Sequence, residues 1–423
     1  MRVYNTETCA TGPFEPAGRS VTLYVCGITP YDTTHLGHAF TYAVADVLVR
    51  HLEGQGRTVR YVQNVTDIDD DILRKAAEIG EDWRALGNRW TAHFIGDMQR
   101  LNVRPPDHYP RATEVIPDIV TAVATLVERG LAYVSGGSVY YAVDAWPTFG
   151  RLSHLPPSEM LPVANERGNR SEDPRKRAPL DFVLWQAQVP GEPAWPSPWG
   201  PGRPGWHIEC SVMSTRFLGS TLDVHAGGTD LVFPHHECEI AQSEPLTGRA
   251  PFVRYWLHTA MVEHEGAKMS KSLGNLVMVR DLLQRWSADA LRVYLSWHHY
   301  RRRWSHDLGV LAQADRLATK LRTAVTRTGG GDNSLDGTGA EAYFTAALND
   351  DLNTPAALSR LDGLADAILT AARTGHDVGS AQAVLRRLAQ VLGLVLDRAE
   401  VEARVTEGWR AHLARFTPLT ATR

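Results

Sequence analysis

The chain has 423 residues, 43% hydrophobic and 22% charged, with a formal net charge of −4. That length allows two or three domains with a large core, and the charge excludes a strongly basic nucleic-acid binder while leaving room for a local basic face. No run of about eighteen apolar residues is present to span a membrane, and the start Met1-Arg-Val-Tyr-Asn-Thr-Glu7 has no apolar signal core. A cytoplasmic protein with no membrane partner is therefore expected. Cys9, Cys26, Cys210 and Cys238 are too few and too scattered for a disulfide scaffold, which leaves metal binding or catalysis for any special ones.

The apolar run Leu23–Val25 predicts a buried strand with Cys26 at its end. Gly27 and Pro30 then turn the chain, and a helix is predicted from near Thr34. His35 and His38 share one face of its first turn, with Gly37 between them. Phe40–Leu52 continues as helix and Thr58–Val65 reads as a second strand, so the start is a βαβ unit and argues a parallel sheet. Ligands in such sheets sit beyond the carboxyl ends of the strands, at the next helix opening. Asn64-Val-Thr-Asp-Ile-Asp-Asp70 lies at such an end; Asp69 and Asp70 read as solvated carboxylates at a capped helix start.

Residues 71–135 read as mostly helical, and Ser138–Ala142 as a strand outside the first set. From about 145 to 205 the chain turns rich in Pro, Gly and charge, as expected of an inserted connection shaped by turns. Helical pattern returns at 207–219, and strands follow at Leu222–Ala226 and Phe252–Thr259. The helix opening His235-His-Glu-Cys-Glu239 lies between those strands, and the loop Lys268-Met-Ser-Lys-Ser272 follows them. Residues 276–327 read as helical, Thr328–Gly339 as a linker, and 340–415 as a small helical bundle.

Zinc takes thiolate and imidazole ligands, with carboxylate as an occasional fourth. Cys26 and Cys210 both fall beside strand ends or helix starts of one sheet, and His235 and Glu239, four apart, share a helix face that Cys238 does not. The four can converge on one ion. The spacing equally fits two buried cysteines and a helix-capping His–Glu pair, since dispersed ligands lack a CxxC signature.

Five segments occur in order: Cys26 with His35-Leu-Gly-His38, Tyr61-Val-Gln-Asn-Val-Thr-Asp-Ile-Asp69, Gly205-Trp-His-Ile-Glu-Cys210, Gly227-Gly-Thr-Asp-Leu-Val-Phe-Pro-His-His-Glu-Cys-Glu239 and Lys268-Met-Ser-Lys-Ser272. Together they resemble the cysteinyl-tRNA synthetases and their sister enzyme, the mycothiol-pathway ligase that joins cysteine to glucosaminyl-inositol. The resemblance covers about residues 1–400. It implies an α/β fold: a class I Rossmann-like parallel sheet in two halves (1–115 and 206–275), a connecting insertion (116–205), a helical stem-contact region (276–327) and a C-terminal helical bundle (340–423).

It further implies zinc at Cys26, Cys210, His235 and Glu239, and activation of L-cysteine by ATP with Mg2+ to cysteinyl-adenylate. His35 and His38 are expected at the phosphates, with Lys268 and Lys271 closing over pyrophosphate. Gly228, Thr229, Asp230 and Val262 are expected around the adenosine, Asp230 on the ribose. Gly27, Thr29, Thr41, Asn64, Thr66 and Trp206 are expected to line the cysteine and adenylate pocket, although Trp206 as core packing is the plain alternative. For the two lysines a solvated loop is the reading without that context. Cys9 and Cys238 match no motif position and read as bystanders.

The acceptor divides the readings. Residues 301–423 hold 16 Lys/Arg against 14 Asp/Glu, a balance of +2, which is little for a phosphate-binding surface. The chain stops soon after Val391–Leu396, where the tRNA enzymes continue with an anticodon-reading segment. Length, Trp195-Pro-Ser-Pro198 and His298-His-Tyr-Arg-Arg-Arg-Trp304 resemble the sister ligase; Glu239, Ser272-Leu-Gly-Asn275 and Asp350-Asp-Leu-Asn-Thr-Pro355 resemble the tRNA enzymes. Arg301–Arg303 are expected at a tRNA acceptor end or in solvent. The leading expectation is an amide-forming ligase with a small amine acceptor, followed by a compact cysteine–tRNA ligase and, third, a synthetase-derived binding protein. A monomer is expected.

Overall fold

The computed structural model describes residues 1–32, 34–269, 274–331, 333–396 and 402–416. Its centre is a four-stranded parallel sheet in the order β10-β9-β3-β4, from β3 (Ser20–Ile28), β4 (Thr58–Val65), β9 (Leu222–Gly228) and β10 (Val253–Thr259). Val21, Leu23, Tyr24 and Val25 are all buried, because helices cover both sheet faces. The predicted βαβ start is present, with α1 at Leu36–Gly54. Its N-cap is His35, whose side chain accepts from the Gly37 amide at 3.1 Å.

Strands β3 and β4 run in register from Ser20/Thr58 to Val25/Gln63 and slip before Ile28/Val65. Cys26 and Gly27 occupy the slip. The Gly27 amide donates to Asn64 Oδ1 at 2.8 Å, and a Cβ on Gly27 would stand 1.5 Å from the Asn64 carbonyl oxygen. Only glycine lets the two backbones approach that closely.

Helices α2 (Asp70–Ile79), α3 (Trp83–Arg100) and α4 (Ile116–Glu128) account for the helical reading of 71–135. Between the last two, Pro105, Pro106 and Pro110 break the helical pattern. That segment runs extended along the outer edge of β4, bridging at Val62/His108 and Val65/Arg111. The insertion is more regular than its composition suggests. Strands β5 (Ala132–Ser135), β6 (Ser138–Tyr141), β7 (Phe182–Ala187) and β8 (Gly202–Pro204) form an antiparallel sheet in sequence order, flanked by α5 (Pro157–Asn165). Turn-rich flanks hid β7 from the sequence reading, although its Phe182, Leu184 and Trp185 are buried.

An N-terminal hairpin, β1 (Arg2–Asn5) with β2 (Ala10–Pro13), packs beside β10. Helices α6 (Trp206–Leu218) and α7 (Glu237–Thr247) follow the insertion and β9 respectively. Short strands β11 (Val262–His264), β12 (Ala267–Lys268) and β13 (Trp304–Ser305) form a small sheet, and β13 interrupts the helical run expected over 276–327. The helices there are α8 (Val279–Arg285), α9 (Ala288–Ser296) and α10 (Leu308–Thr326); α11 (Thr338–Asn349), α12 (Thr354–Arg373) and α13 (Gly379–Val391) pack beyond them. Helix α14 (Glu402–Leu413) instead docks on α3 and the proline segment. There Trp409 is fully buried and donates from Nε1 to the Val103 carbonyl at 2.8 Å, and Arg415 pairs with Glu114 at 2.6 Å.

A buried ion pair ties α1 to the helical region. Asp46 on α1 receives Arg292 of α9 at 2.6 Å and Arg50 at 2.9 Å, and Arg292 also donates to the Leu392 carbonyl at 2.8 Å. Burial alone would raise the Asp46 pKa, but Arg50 and Arg292 hold it below the usual carboxylate value.

Two substitutions test this frame. Gly27→Ala is expected to lower stability by about 3 kcal/mol or more, because backbone must move to admit the methyl; an unchanged urea midpoint would refute the close approach. Asp46→Ala leaves Arg292 buried without its carboxylate and is expected to cost about 3–5 kcal/mol in the same titration. A cost within ~0.5 kcal/mol of zero, the level of an unconstrained surface change, would show the pair to be dispensable.

Candidate active site and metal centre

A cavity of about 770 Å³ opens at the carboxyl ends of β3, β9 and β10, between the start of α1 and the insertion. The lining includes ten of the residues expected at the site: Cys26, Gly27, Thr29, His35, His38, Thr41, Trp206, Gly228, Asp230 and Val262. The His35 and His38 rings stack with centroids 3.8 Å apart on the first turn of α1. Thr41 meets Thr259 oxygen to oxygen at 2.7 Å, joining that helix to β10. Trp206 begins α6 and stacks on the His235 ring at 4.2 Å, so it lines the cavity and packs against the metal centre together.

Other expected residues stand elsewhere. Asn64 and Thr66 are buried behind the cavity wall, where Asn64 accepts from Gly27 and donates to Thr66 Oγ1 at 3.2 Å. They shape the wall without lining it. Thr229 is exposed at the turn that follows β9. Lys268 ends β12; its side chain, and the whole of Lys271, lie outside the described residues.

Cys26, Cys210, His235 and Glu239 come together from β3, α6, the turn Val232–His236 and α7, with donor atoms all within 4.8 Å of one another. All four side chains are buried. His235 Nε2 lies 3.1 Å from Glu239 Oε1 without the alignment of a hydrogen bond, as two donors facing a shared point would. Two sulfurs, one nitrogen and one oxygen fit a tetrahedral zinc ion.

The electrostatics favour a cation there. Burial would raise the Cys210 thiol, but its hydrogen bond with Cys26 and the charge on His235 bring it down to about 6. Burial would lower His235, but Cys210 and Glu239 lift it to about 10. Against burial, His225 and His235 hold Glu239 at about 2. Cys210 thus rests as thiolate and Glu239 as carboxylate, while burial and the hydrogen bond with Cys210 push the Cys26 thiol well up; a metal ion would displace the protons of Cys26 and His235.

A second grouping, Cys26, His225, His236 and Glu239, shares two of these donors. Its histidines are already committed. His225 Nε2 is 3.0 Å from Glu239 Oε2, and His236 Nε2 is 3.2 Å from the Cys26 sulfur. His236 Nδ1 meets His258 Nε2 at 2.7 Å, and His258 Nδ1 meets Thr6 Oγ1 at 2.7 Å. His207 contacts His235 at 2.8 Å, nitrogen to nitrogen. These rings orient the first set from behind, as partners of metal-bound groups commonly do. The sequence reading assigned none of them a role. The available signal was that His225 and His258 stand among apolar neighbours, Val224 and Ala226 in β9 and Leu257 in β10.

Two further expectations change. Asp69 caps α2 by accepting from the Asp71 amide at 2.8 Å, and burial pushes its carboxyl up to about 6, so it is not a solvated group. Asp70 is exposed as expected, and it also pairs with Arg170 and Arg203, both from the insertion. Arg301, expected at a tRNA end or in solvent, donates to Asp351 at 2.7 Å and lies over the Tyr4 ring.

The donor set predicts about one zinc per chain after dialysis against metal-free buffer, measured by mass spectrometry of the metal. Cys210→Ser and His235→Ala should each reduce that content at least tenfold. Retention of zinc by both variants would remove the ion from this site.

Residues 14–316 match the catalytic domain of class I (C) tRNA synthetases, and residues 343–397 match the DALR domain. The chain is 46% identical over 406 residues to a cysteine–tRNA ligase of Alkalilimnicola ehrlichii, covering 95% of this chain and 87% of the relative. It is 46% identical over 368 residues to the L-cysteine:1D-myo-inositol 2-amino-2-deoxy-alpha-D-glucopyranoside ligase of a Parafrankia species, covering 86% of this chain and 82% of the relative. Methionyl-tRNA synthetase of Mycobacterium tuberculosis, solved with methionyl-adenylate, shares the fold with a TM-score of 0.58 at 14% identity, over 94% of this chain and 93% of that one. Among the described residues no helix is long and apolar enough to cross a membrane. The chain belongs to the cysteinyl-tRNA synthetase family of class I synthetases, the cysteine-activating, ATP-dependent ligases.

Proposed function

We propose that this chain activates L-cysteine with ATP and transfers it to tRNA. The observation that carries the acceptor is the reach of the likeness to cysteine–tRNA ligase, which takes in 95% of this chain, against 86% for the amino-sugar ligase. Glu239, which the sequence resemblance associates with the tRNA enzymes, stands in the donor set and supports the same reading. The small-amine acceptor favoured by length and charge balance becomes the second reading. It keeps the Parafrankia relative in its support.

A zinc ion on Cys26, Cys210, His235 and Glu239 would take the substrate thiolate as a further ligand and so prefer cysteine over serine. Trp206, Thr29 and Thr41 would border the amino acid. In the first step the cysteine carboxylate attacks the α-phosphate of ATP, bound with Mg2+, and pyrophosphate leaves. His35 and His38 stand at the start of α1, where the positive end of the helix dipole favours phosphate oxygens. Asp230 would accept from a ribose hydroxyl, with Gly228, Thr229 and Val262 around the adenosine. Lys268 and Lys271 would neutralise the departing pyrophosphate. Asn64 and Thr66 act through Gly27, fixing the backbone on which Cys26 stands. Positioning and charge stabilisation suffice, since no side-chain nucleophile is needed. In the second step a terminal ribose hydroxyl attacks the cysteinyl carbonyl and AMP leaves.

Labelled cysteine and ATP, offered total tRNA in one reaction and glucosaminyl-inositol in another, test the acceptor. Label on tRNA that mild base removes, as an ester would be removed, is expected. Label on the amine with tRNA blank would overturn the proposal in favour of the second reading.

A further inference from the structure

The cavity has a wall that the activation chemistry leaves unused. The insertion contributes Arg167, Arg170, Arg175, Lys176 and Arg203 to its lining. Arg167 donates to the Phe233 carbonyl at 2.9 Å and Lys176 to Asn169 Oδ1 at 2.6 Å. Both acceptors are neutral, so these hydrogen bonds bring no negative charge to the cations.

Two more of these cations converge on one anion from a different part of the fold. Arg170 reaches Asp70 Oδ2 at 3.0 Å, and Arg203 contacts Asp70 Oδ1. Arg203 is buried and is held from its other side by Glu192 at 3.2 Å, so its guanidinium is fixed in place. Arg170 and Asp70 are largely exposed and free to part. Three neighbouring acids are engaged elsewhere: Asp69 caps α2, Asp71 binds the Tyr31 hydroxyl at 2.6 Å and Arg74 at 2.7 Å, and Asp173 binds Arg175 at 2.8 Å; Glu166 lines the cavity beside Arg167. Two guanidinium groups on the two oxygens of one carboxylate form a site that suits a phosphodiester equally well, because both anions present paired oxygens to planar donors.

We propose that Arg170 and Arg203 bind a backbone phosphate of the acceptor's 3′ strand, and that Asp70 holds their place until the strand arrives. This rests on the tRNA reading, since glucosaminyl-inositol carries no phosphate. Entry of the strand exchanges one anion for another on the arginines. Asp70 then competes with the acceptor, and the contact works as a selective closure of the cavity mouth.

The two partners of one ion pair therefore have opposite predicted effects. Arg170→Gln should raise the KM for cysteine-accepting tRNA about three- to tenfold and flatten the salt dependence of log KM by about 0.7, the value for one contact to a single strand. Asp70→Asn should lower that KM. Both are read as aminoacyl transfer relative to each variant's own rate of pyrophosphate exchange, which separates transfer from activation. A contact that merely ties the insertion to α2 is broken by either variant and predicts a shift in the same direction for both. The inference is overturned if the KM of Asp70→Asn fails to fall or that of Arg170→Gln fails to rise. If the unmodified chain leaves tRNA uncharged, the tRNA reading falls and this inference falls with it; charging by the unmodified chain with the wrong variant pattern removes the inference alone.

Discussion

The place where β3 slips out of register with β4 governs the rest of the site. Sheet pairing fixes the backbone as far as Val25, and the slip turns Cys26 toward α7 while Gly27 presses on Asn64. A regular strand would have carried alternate side chains to opposite faces all the way to Ile28. The slip instead delivers one sulfur to the metal centre and one bare backbone to the cavity wall. The strand end, the start of α1 and the donors from α6 and α7 then share one small volume, which is the ordinary place for a ligand in an open α/β sheet.

Burial of the donors follows from that geometry. A carboxylate, two thiols and several imidazoles with almost no solvent exposure would each be costly alone. They are tolerated because each has a charged or hydrogen-bonding neighbour. The surrounding histidines share this load. His225 and His236 fix the orientations of Glu239 and Cys26, and His258 anchors His236 to the N-terminal hairpin through Thr6. The hairpin, remote from the site in sequence, thus contributes to the rigidity of the metal centre.

The insertion and the helical region answer to different demands. The insertion supplies a wall of cations, and its Arg170–Asp70 bridge to α2 is ionic and largely exposed. The helical region is bound to α1 by the buried Asp46–Arg292 pair and clasped to α3 by Trp409, both desolvated and hence costly to break. One flank of the cavity is tied in by a buried ion pair, and the other adds an exposed ionic contact to its buried packing against α6 and α7.

Sequence alone determined the local elements with strong periodicity and the motifs of fixed spacing. The strand Thr58–Val65 and the helix carrying His35 and His38 depend on neighbours within a few residues, where hydrophobic period and turn chemistry act. The four metal donors were one of two readings open to the sequence, beside two buried cysteines and a helix-capping His–Glu pair, and the family resemblance chose between them, since nothing local ties Cys26 to Glu239 across more than two hundred residues. Tertiary structure decided the remainder. Whether Asn64 lines a wall or stands behind it depends on a register slip that pairwise propensity does not encode. Strand β7 is stabilised by partners on both sides, not by its own turn-rich surroundings. The destination of Arg301 and of Asp70 was open because a charged side chain settles on whichever opposite charge the fold brings near, and that partner came from a distant segment in each case.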